Sequence, residues 1–187
     1  WSFDIRDIHP GALYSNSVTF SGNGESFLFE TIGNGRNTRL WIANCLEKKL
    51  SLLGENIASH FNYLNEKSII CYGSPDSKLL NSAYFSIDLE SGVWHKLHSE
   101  YLPDGHPSPL GSDGFLTDTY PNLLRLQKCY LYYRNQIKVT VARRYHPIRY
   151  TGEERCDFHP RRECCQRVSL DSISTRTKKR CVLIKNI

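Results

Sequence analysis

The chain has 187 residues, 40% hydrophobic and 23% charged, and Lys plus Arg exceed Asp plus Glu by 24 − 19 = 5. That balance belongs to a folded globular chain and argues against global disorder or a coiled coil. The longest apolar runs, such as Phe27-Leu28-Phe29 and Ile69-Ile70-Cys71-Tyr72, are far shorter than the roughly 20 residues of a membrane-spanning helix.

The chain opens on Trp1 and contains no Met, so a processed or truncated start is the expectation. No apolar h-region follows Trp1, and no signal peptide is expected. The first element is Trp1–Ile8, where Phe3, Ile5 and Ile8 suggest a strand. It would be the outer strand of a preceding unit, or would close a ring by pairing with Arg180–Ile187.

Four similar units follow, at approximately 9–54, 55–101, 102–147 and 148–187. Each begins with a short polar and aromatic segment, continues into a strand-like run, turns, and forms a second strand with a polar end. First strands are expected near Ser26–Thr31, Ser68–Tyr72, Phe115–Thr119 and Arg167–Ser172. Second strands are expected from Leu40, Tyr84, Tyr130 and Val182, whose spacings are 44, 46 and 52 residues. Third strands are expected at Lys48–Leu53, Val93–Leu97 and Lys138–Ala142. The runs are rich in Val, Ile, Leu, Phe and Tyr, and turn residues such as Ser21-Gly22-Asn23-Gly24 separate them. No long segment has helical apolar spacing. Short antiparallel strands repeating every 40 to 50 residues predict an all-β fold: a β-propeller of about four blades, or a fragment of a six- to eight-bladed one. A β-sandwich is the alternative, but it does not explain the repeat of the whole unit.

Seven cysteines cannot all pair within the chain. Cys45, Cys71, Cys129 and Cys181 adjoin apolar runs, as buried free thiols do, and a reducing, cytoplasmic setting is the expectation. A zinc site from Cys156, His159, Cys164 and Cys165 is disfavoured because the vicinal pair suits tetrahedral geometry poorly. The basic excess lies mostly in the last third, in Arg143-Arg144, Arg161-Arg162 and Lys178-Lys179-Arg180. It is either a solvated surface or a face for an anionic partner, and no nucleic-acid motif accompanies it.

The second half carries distinctive strings: Asp104-Gly105-His106-Pro107-Ser108, Leu116-Thr117-Asp118-Thr119-Tyr120-Pro121, Glu153-Glu154-Arg155-Cys156-Asp157-Phe158-His159-Pro160-Arg161 and Ser169-Leu170-Asp171-Ser172. They resemble bacterial propellers of the TolB-like and oligogalacturonate-lyase-like kind, in which His-Pro-Ser opens the innermost strand of a blade. The lyase-like relatives hold a divalent metal on histidines at the start of blades. The resemblance thus implies His106 and His159 as metal ligands, with Asp157 as a further one, and Mn or Zn as the ion.

Repeat logic bears on the same residues. His60, His106 and His159 recur at spacings of 46 and 53. Equivalent positions of successive blades are related by rotation about the central channel, so their imidazoles could converge there. In an extended segment Asp157 and His159 share a face. Imidazole plus carboxylate suits Mn, Fe or Zn. The alternative role is structural, each His tying neighbouring strands together. Asp118 and Asp171 follow the same 53-residue spacing, either as polar caps within a blade or as substrate contacts. Tyr120 and Arg161 complete a substrate-binding set, with Arg suited to uronate carboxylates.

Two functions are open. One is a β-propeller binding module for a carbohydrate or protein, with an anionic oligosaccharide or a protein as partner. The other is a metal-dependent lyase. There, the metal binds a uronate carboxylate, and Arg155 or His146 removes the acidified proton in β-elimination.

Overall fold

The computed structural model describes residues 1–76, 81–111, 114–133, 137–149, 155, 157–162, 168–172 and 180–184. They fall into two compact units, Trp1–His98 and Ser99–Ile187.

The first unit contains a short helix α1 (Ile5–Ile8) and eight strands. β1 (Ala12–Phe20), β2 (Ser26–Gly33), β3 (Thr38–Asn44) and β4 (Lys49–Glu55) form one antiparallel sheet in that order. β5 (Ile57–Asn65), β6 (Ser68–Gly73), β7 (Ala83–Asp88) and β8 (Trp94–Lys96) form a second in the same order. Each is a meander, so every hairpin is local. The polar residue ending β3 and β7 explains the turn that follows. Asn44 Oδ1 accepts the N–H groups of Leu46 and Glu47, both at 2.9 Å. Asp88 Oδ1 accepts those of Glu90 and Ser91, at 3.1 and 2.7 Å. Each carboxylate or amide replaces partners that the reversing backbone has lost.

The central strands are buried on both faces, which is why they read as continuous apolar runs. Leu28 and Leu40 face the second sheet and pack with Ile57, Ile69, Cys71, Phe85 and Ile87. Gly54 lets the two sheets approach: a Cβ there would stand 2.4 Å from Trp94 Cζ2. Phe29, Trp41 and Ala43 point the other way and are covered by Phe3 and Ile8. Trp41 Nε1 donates to Thr31 Oγ1 at 2.9 Å, so the indole satisfies its one donor within the core.

The segment Trp1–Ile8 therefore differs from the expected outer strand. Residues 5–8 are helical, opened by Asp4, whose carboxylate accepts the Arg6 N–H at 2.9 Å. Its apolar residues Phe3 and Ile8 cap the far face of the first sheet instead of extending a ladder. Spacings of two and three residues fit a short helix as readily as a strand.

The opening segments of the first two sequence repeats are full strands, β1 and β5, of nine residues each. Sequence pattern missed them for a physical reason. β1 is exposed along most of its length, and three register shifts break the period of two in β5.

In the second unit, β9 (Ser108–Pro109), β10 (Gly114–Asp118), β11 (Leu126–Tyr133) and β12 (Lys138–Tyr145) form a third sheet ordered β12-β11-β10-β9. β13 (Pro160–Arg162), β14 (Val168–Ser172) and β15 (Arg180–Ile184) form a fourth, three-stranded among the described residues. Leu116, Cys129 and Leu131 of the third sheet pack against Phe158, just before β13. The all-β repeat predicted by the spacings is thus the architecture found, and a two-sheet sandwich is excluded. No described helix is long and apolar enough to cross a membrane.

Candidate functional site

The site lies in the second unit, where the third sheet meets the residues leading into β13. Its anchor is Asp118, the last residue of β10, only 1% exposed. Its Oδ1 accepts the backbone N–H of His106 at 2.7 Å, and His106 Nδ1 lies 2.9 Å from the same oxygen. Its Oδ2 accepts the backbone N–H groups of Phe158 and His159 at 3.0 and 3.2 Å. Burial alone would raise the proton affinity of this carboxyl. The His106 ring and the backbone donors outweigh it and hold Asp118 below the usual carboxylate range. An ionised carboxylate only accepts, so His106 presents its Nδ1 proton to it.

Gly105 makes this approach possible. A Cβ on it would lie 1.9 Å from the Asp118 carbonyl oxygen and 2.8 Å from its Oδ1. The Gly105-His106-Pro107 string therefore delivers the His106 N–H to a buried acid, and Pro107 leads directly into β9.

The imidazoles of His106 and His159 lie against one another with centroids 3.8 Å apart, tilted by 37°. His106, Asp157 and His159 each offer a ligand atom, and these atoms lie within 4.8 Å of one another. The sequence-based reason for grouping Asp157 with His159 was a strand period of two. The actual cause differs: β13 starts only at Pro160, and His159 sits in the left-handed region with φ 40°. Burial, followed by the charge of His106, keeps the His159 imidazole below its ordinary proton affinity.

Asp157 is already neutralised. Arg155 grips it with Nε at 2.9 and 3.1 Å from Oδ1 and Oδ2 and a terminal nitrogen at 2.9 Å from Oδ2. Gln127 Nε2 adds a bond to Oδ1 at 3.2 Å. The hydrogen bonds that Arg155 donates to Asp157 raise its proton affinity further, the reverse of what a general base needs. The Arg155 guanidinium also covers the ring of Tyr120 at 4.1 Å from its centroid. Burial pushes the Tyr120 phenol up to about 12.

His146 lies elsewhere in the same unit. It is 1% exposed, and Arg125 donates to its Nδ1 at 2.9 Å and to its carbonyl at 3.0 Å. Burial and the Arg125 charge lower its proton affinity. It fastens the end of β12 to the loop before β11. Arg161 is exposed in β13. His60 belongs to β5 of the first unit and shares the left-handed backbone of His159, with φ 41°. The side chain of Asp171 and the residues Cys156, Cys164 and Cys165 lie outside the described set.

Gln127 and Gly105 were not singled out from sequence. Gln127 is fully buried and bridges Arg144, at 3.3 Å, to Asp157. Its signal was an amide at the start of a strand whose later residues are mostly apolar and aromatic. Gly105 carried the stronger one, standing immediately before a His-Pro.

No known protein-family profile matches the chain, and no curated protein sequence matches it. Solved structures do. TolB from Acinetobacter baumannii aligns over 92% of this chain and 43% of its own, with 17% identity and a TM-score of 0.54. A TolB-like protein from Agrobacterium tumefaciens aligns over 92% and 62%, with 16% identity and a TM-score of 0.60. The β-propeller domain of the Trilobed protease from Pyrococcus furiosus aligns over 91% and 55%, with 12% identity and a TM-score of 0.56. The chain has the β-propeller fold. It spans about half the length of these structures, and its sheets correspond to propeller blades.

Proposed function

We propose that this chain is a non-catalytic β-propeller module that binds a protein segment. The observation that carries the reading is how completely the charged groups between the third and fourth blades satisfy one another. Asp118 is committed to His106 and two backbone donors, and Arg155 to Asp157. The two candidate bases are both unsuited to proton abstraction: Arg155 is a held cation, and His146 is buried against Arg125. Of the residues expected at a uronate site, Asp118 is committed to His106 and Tyr120 lies under the Arg155 guanidinium, while Arg161 is exposed. A protein partner is therefore favoured over an anionic oligosaccharide. The Trilobed protease supports this direction, as a propeller that is a domain of a protease. The test is to screen the purified protein against a peptide array while assaying oligogalacturonate for unsaturated product. Peptide binding without product is the expected result. Product formation that is lost in His106→Ala would overturn the reading.

A second reading has its own observation. Two imidazoles and one carboxylate brought within 4.8 Å are a donor set that fits Mn or Zn. Asp118 would orient His106, as carboxylates do behind metal-bound histidines. Such an ion would supply Lewis acidity at this junction. Arg155 competes with it for both Asp157 oxygens. Calorimetric titration with Mn²⁺ and Zn²⁺ tests the idea. Binding should disappear in His159→Ala and persist in His95→Ala, which alters an exposed residue of β8. Equal behaviour of the two variants would count against it.

A further inference from the structure

The two outer strands of the third blade, β11 and β12, carry Lys128, Lys138, Arg143 and Arg144 and no acidic residue. Their register sets Lys128 directly opposite Arg143, Tyr130 opposite Thr140 and Tyr132 opposite Lys138. Alternate residues of a strand share a face. Lys128, Arg143 and Lys138 are therefore on one side of the sheet, grouped around Tyr130. The Lys128 and Lys138 ammonium groups stand 5.9 and 5.4 Å from the Tyr130 ring centroid. Glu100 reaches Lys138 at 3.4 Å.

The first blade shows what this position holds when it is purely structural. Arg39 lies five residues before Asn44, the partner of Ser26, and Lys128 lies five before Tyr133, the partner of Gly114. The two are register equivalents, and their partners across the outer hairpin are Glu55 and Arg143. Arg39 and Glu55 form an ion pair at 2.9 Å. In the third blade the same pair is cation against cation. Like charges directly opposite one another cost stability. Lysine alone on an edge strand guards against unwanted pairing, but that purpose needs no opposed second cation. β12 is also the edge of its sheet, and Val139 and Tyr145 are exposed along it.

We infer that the β11–β12 face of the third blade is a docking surface for an extended, acidic peptide segment of a partner protein. The segment would place carboxylates against Lys128 and Arg143 at one end and Lys138 at the other. Lys138 and Arg143 are five positions apart, roughly 16 Å at about 3.3 Å per residue. Apolar side chains alternating with the acids would turn to the other face of the sheet and cover Val139, and β12, the edge strand among the described residues, offers main-chain hydrogen bonds. This deepens the binding-module reading and rests on it.

The test uses fluorescence anisotropy on the full chain. The probes are a peptide alternating glutamate with valine, its glutamine counterpart, a single-stranded oligonucleotide and vesicles containing phosphatidylserine. The glutamate peptide should bind best and weaken with added salt. Arg143→Glu, which sets an opposite charge across from Lys128, should weaken that peptide by roughly tenfold or more while raising Tm. Arg143→Gln should fall between. Equal binding of the glutamine peptide, unchanged binding by Arg143→Glu, or tighter binding of the oligonucleotide or vesicles would overturn the inference. If an unbiased peptide pool binds where the acidic peptide does not, this surface fails and the module reading stands. If no peptide binds, both fail.

Discussion

The Asp118 carboxylate of the third blade accepts the backbone N–H of His159, 41 residues later, at 3.2 Å, so one buried acid holds the start of the fourth blade. With the Phe158 N–H and two donors from His106, it satisfies groups on two blades at once.

Removing that acid should therefore cost more than a typical core substitution. Asp118→Ala leaves three backbone N–H groups and the His106 Nδ1 without their acceptor, around a carboxylate that is only 1% exposed. An expected loss of about 3–5 kcal/mol follows from breaking a buried charged network. Urea denaturation measures it, and a loss below about 0.5 kcal/mol would show the network to be incidental.

Gly105→Ala should be severely destabilising because its Cβ meets the Asp118 carbonyl at 1.9 Å, and backbone cannot rotate away. Gly92→Ala is the control. Nothing lies within 4 Å of a Cβ there, and only the left-handed φ of 70° opposes it. The control should lose about 1 kcal/mol and Gly105→Ala at least twice that. Similar losses at the two sites would contradict the close approach.

Acid should weaken the fold before the carboxylates titrate. Burial lowers the proton affinity of His9, His146 and His159 relative to the unfolded chain. Below the ordinary histidine value of about 6.5, the unfolded chain then binds more protons than the native one, so stability falls as pH falls. Asp118 acts lower down: its lowered value contributes stability that is lost only below the ordinary carboxylate range. Denaturation midpoints should drop between about pH 7.5 and 5. His159→Gln should flatten that drop in part, and an unchanged slope would assign the effect to other groups.

Deleting residues 1–8 should destabilise the first blade by uncovering Phe29 and Trp41, which Phe3 and Ile8 now cover. Loss of two partly buried apolar side chains corresponds to about 2–4 kcal/mol. Trp41, only 8% exposed, should then shift its fluorescence to the red. An unshifted emission with unchanged Tm would mean that the segment does not protect this face.

Much of the fold was legible locally. Strands buried on both faces, such as β2 and β6, announce themselves as apolar runs, and Asn44 and Asp88 mark the turns they cap. The 44- and 46-residue spacings then repeat because each blade is a local meander. The exposed β1 and the bulged β5 left no such pattern, since neither burial nor register imposes a period of two on them.

The site divides along the same line. Sequence alone determined that His106 and His159 open successive repeats, and that Asp118 ends a strand near one of them. Only the tertiary structure decided which groups neutralise one another. That Arg155 is held by Asp157, His106 by Asp118 and His146 by Arg125 depends on contacts of a few ångströms. No spacing along the chain encodes those contacts. Charge and proton affinity are set by the neighbours that folding brings into contact, whereas repeat period is set by hydrogen bonding between strands adjacent in sequence.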